Sequence, residues 1–268
     1  MYAIELMIPK GKATVTVEAE GMANQVAAVF AAMVRPCQDA PSLCGIEVMG
    51  SGPYQVRYSG QDAPCASQRD VIFLVHWIIE QIVDTIRWNS YIVFHGGLIA
   101  KDGQAYGLVA PTRTGKSTLT AFLSAEDYHF YADDYIFVNR ETGRVAPFAL
   151  PLVLRNLLPE LRNEVLIEGD NPRRKEYSYF VKTAEPPAGG DYPKLACMLF
   201  LKRGGRNEIV PLSKGESYIA LLRNLKSPMG LEREILFLKE FCHRVQCFSL
   251  HYRDLAYAKE AIEEIQSL

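Results

Sequence analysis

No apolar run in this chain approaches the roughly 20 residues that a membrane-spanning helix needs, because charged side chains interrupt every long hydrophobic stretch. A helical membrane protein is thereby excluded. The six cysteines, Cys37, Cys44, Cys65, Cys197, Cys242 and Cys247, form no C-x-x-C pair, and no histidine stands at zinc-ligand spacing from them. They are read as reduced, structural thiols rather than a disulfide framework or a zinc module. Excess charge is also missing. A formal net charge of -2 supplies no general attraction to nucleic acid or to an anionic membrane, so neither is expected as a partner. Met1 leads straight into the strand-like segment 2–8, without the basic and apolar regions of a signal peptide, which predicts a cytoplasmic protein.

What is present is a globular composition. Hydrophobic residues make up 49% of the 268 and charged residues 22%, enough apolar side chain for one large domain or two modest ones and too little charge for a disordered chain. The first third reads as a small α+β unit over residues 1–88. Strand signals at 2–8 and 14–20 precede an Ala-rich helix over 23–34, stopped by Pro36. Short strands follow at 45–49 and 54–58 around the turn Ser51-Gly52-Pro53. Residues 61–67 are loop-like, and Asp70 is expected to cap a long helix reaching about Trp88.

Residues 89–268 read as a second domain. Strands at 91–100 and 104–109 are joined by Lys101-Asp102-Gly103, and Asp-Gly is a strong hairpin signal. A helix is predicted over 117–124, with strands near 130–131, 135–139, 195–202 and 208–212. Helices follow near 215–225 and 231–243, then a strand at 245–250 and a last helix from about Asp254. The segment 183–193, with Pro186-Pro187 and Gly189-Gly190, is expected to be flexible.

The second hairpin strand runs directly into Ala110-Pro111-Thr112-Arg113-Thr114-Gly115-Lys116-Ser117-Thr118. This fits the Walker A pattern, with Ala110 in place of its first glycine, and it lies between an apolar strand and a helix, where the pattern has physical meaning. Backbone N–H groups at such a helix start face phosphates, Lys116 supplies charge to the β and γ groups, and Ser117 offers its hydroxyl to Mg²⁺. Ala110 is tolerable if its φ need not be positive. Arg113 points outward or reaches a phosphate; both stay open.

Asp133 and Asp134 follow far enough along for one helix and a return strand, so the pair can come back beside the loop. Phosphoryl transfer needs Mg²⁺ on the phosphate oxygens and a carboxylate to orient or deprotonate the acceptor hydroxyl. Neighbours on an extended chain point to opposite sides, which predicts divided roles for the two carboxylates. His95, in Phe94-His95-Gly96-Gly97, is placed on the strand paired with the one feeding the loop, where it could titrate or bond an Asp. His76, His129, His243 and His251 are read as structural.

Together, Phe94-His95-Gly96-Gly97, a hairpin, Gly115-Lys116-Ser117-Thr118-Leu119 and Tyr131-Ala132-Asp133-Asp134 resemble, in order and spacing, the catalytic core of the bacterial HPr kinase/phosphorylase family over about residues 91–155. The resemblance implies an α/β fold like the HPr kinase C-terminal domain and phosphoenolpyruvate carboxykinase, a P-loop fold here preceded by a small N-terminal α+β domain. It also implies ATP and Mg²⁺ as cofactors, Asp134 as base toward a serine hydroxyl, Asp133 near the metal and His95 in support; that family's downstream Glu-and-Arg signature has no clear match here, and the nearest stretch, Pro151-Leu152-Val153-Leu154-Arg155, offers Arg155 as a phosphate ligand. Residues 1–88 do not look like the N-terminal domain of the true HPr kinases. The chain looks more like the short HPr-kinase-like proteins encoded beside precursors of modified peptides, lasso peptides among them, which phosphorylate a serine near the precursor's C-terminus. That implies a precursor peptide as partner; the basic stretch Arg173-Arg174-Lys175 and the Gly-rich segment before Lys194 could hold it or could be a solvated face. A homo-oligomer is compatible with the sequence. The alternatives are a nucleotide-binding regulator without catalysis and a small-molecule kinase.

Overall fold

The computed structural model describes residues 1–34, 40–86, 88–171, 175–186, 192–226 and 231–266, with backbone alone for 231–233. Cys37, Arg173, Arg174 and the Gly189-Gly190 pair lie outside the described residues.

Alternation of apolar and polar residues builds β1 (Tyr2–Ile8) and β2 (Gly11–Val17), whose inward side chains are buried at every second position. Helix α1 (Glu20–Val29), β3 (Ser42–Met49), β4 (Tyr54–Tyr58), β5 (Gln61–Cys65) and helix α2 (Gln68–Thr85) follow. The strands form one sheet in the order β1-β2-β3-β4-β5, with β2 and β3 parallel and the other pairs antiparallel. Two expectations are corrected in this stretch. Residues 61–65 are the edge strand β5 rather than loop; only Cys65 is buried there, and Pro64 is tolerated because an edge strand can spare a donor. The cap of α2 is Ser67, not Asp70. Ser67 Oγ accepts from the Asp70 N–H at 3.2 Å while the Asp70 carboxylate accepts from the Ser67 N–H at 3.0 Å, a reciprocal capping box.

The chain continues through β6 (Tyr91–Phe94), β7 (Gly97–Lys101), β8 (Gln104–Val109), α3 (Lys116–Ala125), β9 (His129–Ala132), β10 (Ile136–Asn139) and β11 (Val145–Ala146). Next come β12 (Leu152–Leu154), β13 (Val165–Asn171) and β14 (Glu176–Val181). Then follow β15 (Lys194–Arg203), β16 (Glu208–Pro211), α4 (Lys214–Arg223), α5 (Leu231–Arg244), β17 (Gln246–Tyr252) and α6 (Leu255–Gln266). The chain is thus a mixed α/β protein with several sheets. Among the described residues no helix is long and apolar enough to cross a membrane, and the five described cysteines are free thiols.

Two compact units result, Met1–Ile86 with Phe148–Thr183, and Arg87–Pro147 with Ala184–Leu268. The division expected at residue 88 is close to the first boundary, but 89–268 is not one contiguous domain. Strands β12, β14 and β13 form a separate antiparallel sheet that folds with the amino-terminal unit. The reason is packing on α2. The rings of Phe73 and Phe180 lie 5.1 Å apart, and the buried His76 places Nε2 3.0 Å from the Pro151 carbonyl oxygen.

In the second unit, six strands form a sheet in the order β16-β17-β15-β8-β7-β9, with β17, β15 and β8 parallel. Its core includes Leu108, Leu199 and Leu250 from those three strands, met by Leu119 of α3 and Ile262 of α6. Strands β11, β10 and β6 form a smaller antiparallel sheet. The single strand expected over 91–100 is therefore two strands in two sheets, broken at His95-Gly96. Gly96 has no room for a side chain there, since a Cβ would stand 2.6 Å from Ile136 Cδ1 and 2.8 Å from the Leu108 carbonyl oxygen. The hairpin between β7 and β8 turns as expected on Asp102 and Gly103, both with positive φ.

Candidate active site

Strand β8 ends at Val109, and the chain passes through 110–115 into α3. Ala110 is buried and is not among the positive-φ residues, so its methyl group carries no backbone strain. Pro111, Thr112 and Arg113 are exposed, with Arg113 at φ 69°, and the Thr114 N–H donates to the Pro111 carbonyl at 3.2 Å. Gly115 adopts φ 95°, a conformation only glycine takes cheaply, and it starts the helix: the Leu119 N–H donates to its carbonyl at 2.9 Å. Ser117 and Thr118 follow on the first turn, half-buried. The first-turn N–H groups of α3 lack intrahelical acceptors, as at any helix start.

Lys116 is buried and reaches back across the loop. Its Nζ donates to Asp134 Oδ1 at 2.8 Å and makes a short contact with Asp133 Oδ1. Ser117 Oγ donates to the other oxygen of Asp133 at 2.7 Å. Burial opposes the Lys116 charge, but the two carboxylates outweigh it and hold the ammonium pKa above its ordinary 10.5. Asp133 and Asp134 stand just past the end of β9, where the sequence placed them. Their expected splay to opposite sides does not occur. Asp134 has φ 71°, outside the extended region, and this turn brings both carboxylates to the same ammonium group.

His95 is corrected in position. It lies in the break between β6 and β7, not on the strand paired with β8; that pairing begins at Gly97 with Leu108. Its Nε2 is 3.8 Å from Asp134 Oδ1, and its N–H donates to the Asn224 carbonyl at 2.7 Å. The same chain segment carries Lys226, whose N–H donates to the Val93 carbonyl at 2.8 Å and whose Nζ lies 3.7 Å from the centre of the Tyr135 ring. Burial lowers the imidazole pKa from 6.5 against the upward pull of Asp134, with Lys116 and Lys226 adding to the fall. Between the lowered folded value and the unfolded one, the unfolded chain binds more protons, so stability declines as the pH drops below about 6.5 and levels off once the folded ring is protonated. His95→Gln should remove this component. Wild type should lose more melting temperature than the variant between about pH 7 and pH 5; equal losses would show that the folded ring titrates like a free one.

The structure thus brings His95, Lys116, Ser117, Asp133 and Asp134 together. Arg155 belongs to the other unit, where its Nε donates to Glu176 Oε1 at 2.6 Å, so the expectation of a phosphate ligand finds it already paired with a carboxylate. Two contributors were missed in the sequence. A Cβ at Gly97 would stand 2.5 Å from Thr120 Oγ1, so the bare glycine is what lets α3 approach β7 at that point; Asp133 Oδ1, at 3.5 Å, would meet it at ordinary contact distance. Thr120 Oγ1 donates to the Lys116 carbonyl at 3.0 Å and bonds back along the first turn of the helix. Only the Gly96-Gly97 pair beside His95 hinted at this.

No family model and no curated protein matches the chain. Among solved structures, the HPr(Ser) kinase/phosphatase from Coxiella burnetii is similar over 65% of this chain and 98% of its own, at 7% identity and a TM-score of 0.32. Values that low decide neither fold nor activity by themselves. The chemistry has to be read from the side chains.

Those side chains set one ammonium against two carboxylates beside a half-buried imidazole, with the Lys226 ammonium near enough to act on that ring. A polyphosphate entering it needs further positive charge. Among the described residues, no group of three His, Cys, Asp or Glu side chains gathers to hold a metal. Asp133 and Ser117, bonded to each other, are the available oxygen ligands. Mg²⁺ in phosphotransferases commonly takes only one or two protein oxygens and fills its octahedron with phosphate and water, so this pair fits that ion.

Proposed function

We propose that the chain is a Mg²⁺-dependent, ATP-using kinase of the HPr kinase-like type that phosphorylates a serine hydroxyl near the C-terminus of a ribosomal precursor peptide. The observation that carries the reading is the convergence of Lys116, Ser117, Asp133 and Asp134 at the start of α3. The likeness of the His-loop-Asp segments to the HPr kinase family agrees with it. Mg²⁺, when bound, neutralises charge on the transferred phosphate. The loop N–H groups and Lys116 hold the triphosphate, and this requires Lys116 to exchange its carboxylate partners for phosphate oxygens. That exchange frees Asp134 to accept the proton of the serine hydroxyl as the serine oxygen bonds to the γ-phosphorus and the bond to the β–γ bridging oxygen breaks, leaving ADP. His95, kept neutral by burial, sits where it can hydrogen-bond Asp134 and hold its orientation.

A nucleotide-binding regulator would need no base beside its loop, and the retention of both Asp133 and Asp134 speaks against one. The peptide acceptor is favoured because an extended chain end reaches a carboxylate behind a loop more readily than a hydroxyl fixed on a folded surface. The test is to incubate the full chain with ATP, Mg²⁺ and either a Ser-ended precursor peptide or HPr, and to read a mass gain of about 80 Da, one phosphate. The peptide should gain it and HPr should not. Modification of HPr alone would overturn the peptide assignment; modification of neither would overturn both.

A further inference from the structure

The parallel strands β8, β15 and β17 end at one edge of their sheet, and the loop 110–115 follows from the first of them. In open α/β sheets ligands gather at such carboxyl ends. The last register pair of β15 and β17 is Arg203 with Tyr252. Both lie against Gly115. A Cβ built on that glycine would stand 3.4 Å from Tyr252 Oη and 3.5 Å from Arg203 Nη1, ordinary contact distances, so Gly115 is demanded by its φ while these two side chains form the floor beneath it.

Neither side chain has a partner that explains its placement. Tyr252 is fully buried, yet among the described residues its hydroxyl makes no hydrogen bond. An unmade bond on a buried hydroxyl costs free energy, so such a group calls for an explanation, and a role in binding is one. Arg203 is exposed, and among the described residues no carboxylate pairs with it. Its backbone is nonetheless held: Arg203 pairs with Tyr252 of β17, and the Gly204 N–H donates to the Tyr252 carbonyl at 2.8 Å. A guanidinium with no carboxylate partner among the described residues, beside a helix start, has the chemistry to bind phosphate oxygens.

We propose that Arg203 is a second phosphate-binding side chain of the nucleotide site, engaging the polyphosphate from the Gly115 side of the loop, and that Tyr252 is a positioning residue whose hydroxyl gains its partner when the loop closes on phosphate. This rests on the phosphate-loop reading above and adds a ligand to it. Lys116 supplies charge on the side of the Asp pair, and Arg203 supplies it on the opposite wall of the loop.

The test titrates the full chain, with Mg²⁺, against ATP and against inorganic tripolyphosphate, in wild type, Arg203→Ala, Arg203→Lys, Tyr252→Phe and Lys116→Ala. Arg203→Ala should weaken both ligands by the same factor, about tenfold or more for a charge-assisted contact, and Arg203→Lys should restore part of it. Tyr252→Phe should weaken both a few-fold while its ligand-free melting temperature stays equal to wild type or rises, because an unbonded buried hydroxyl has been removed; a purely structural tyrosine would lower the melting temperature instead. ATP weakened with tripolyphosphate unchanged would mean that the guanidinium stacks on the base, and would overturn the proposal. So would unchanged affinity for both ligands in Arg203→Ala while Lys116→Ala abolishes binding, a result that leaves the phosphate loop standing. Absence of any binding by wild type overturns the phosphate loop itself.

Discussion

Asp134→Asn should bind ATP nearly as wild type does and lose phosphoryl transfer by about a hundred- to ten-thousandfold, the range that a positioned general base contributes. The substitution is close to silent for the backbone. Asp134 sits at φ 71°, and Asn adopts that left-handed conformation as readily as Asp. It also leaves Lys116 a carboxylate partner, since the contact to Asp133 remains. What it removes is the group able to take a proton from the acceptor, about a third exposed on its side chain and therefore reachable. Asp133→Asn should behave differently. Asp133 is nearly buried, receives the Ser117 hydroxyl, and under the proposed function would hold Mg²⁺ together with it. Its Asn variant should need more Mg²⁺ to reach half-maximal rate, whereas the Asp134 variant should not. Rates measured over a Mg²⁺ series decide this; the same Mg²⁺ dependence in both variants would undo the division of roles.

The parts of this site that could be read in the sequence are those written in contiguous residues. Val109 to Leu119 carries an apolar strand end, a Gly-Lys-Ser loop and a helix start in order, each specified by its own neighbours, and β8, the loop and α3 are found at those positions. The hairpin at Asp102-Gly103 is legible for the same reason. The convergence of both aspartates on Lys116 was not. It depends on one backbone turn at Asp134 that an extended-strand rule cannot foresee, and on Gly97 leaving room for Thr120 of α3. Nor was the membership of 148–183 legible. Those strands are held by side chains far away in sequence, such as Phe73 against Phe180, so local pattern placed them with the residues that follow rather than with the amino-terminal unit. The break at His95-Gly96 was hidden by continuous apolar residues on both sides, which look alike whether they fill one strand or two. Arg203 and Tyr252 carried no motif at all; only strand pairing places them beneath Gly115.

Lys116→Ala should lower ATP affinity by at least about a hundredfold. Two charge-assisted contacts of roughly 1.5–3 kcal/mol each are at stake between the ammonium and the phosphates, and about 3 kcal/mol already corresponds to two orders of magnitude. A second effect has the same sign. Without the ammonium, the carboxylates of Asp133 and Asp134 lose their shared cation and face an incoming polyphosphate with like charge, inside a site where the Asp133 side chain is only 11% exposed and weakly screened. The two contributions can be separated. Adding Asp134→Asn to Lys116→Ala removes one repelling charge, so the double variant should bind ATP more tightly than Lys116→Ala alone, although Asp134→Asn by itself changes binding little. Such non-additivity is expected of residues in direct contact and would not arise if Lys116 acted on phosphate independently of the pair. Calorimetric titration of the four proteins with ATP and Mg²⁺ measures the whole cycle. Affinity that is unchanged in Lys116→Ala would remove the phosphate-loop assignment, and a double variant no tighter than the single would show that the Asp134 charge does not repel the nucleotide.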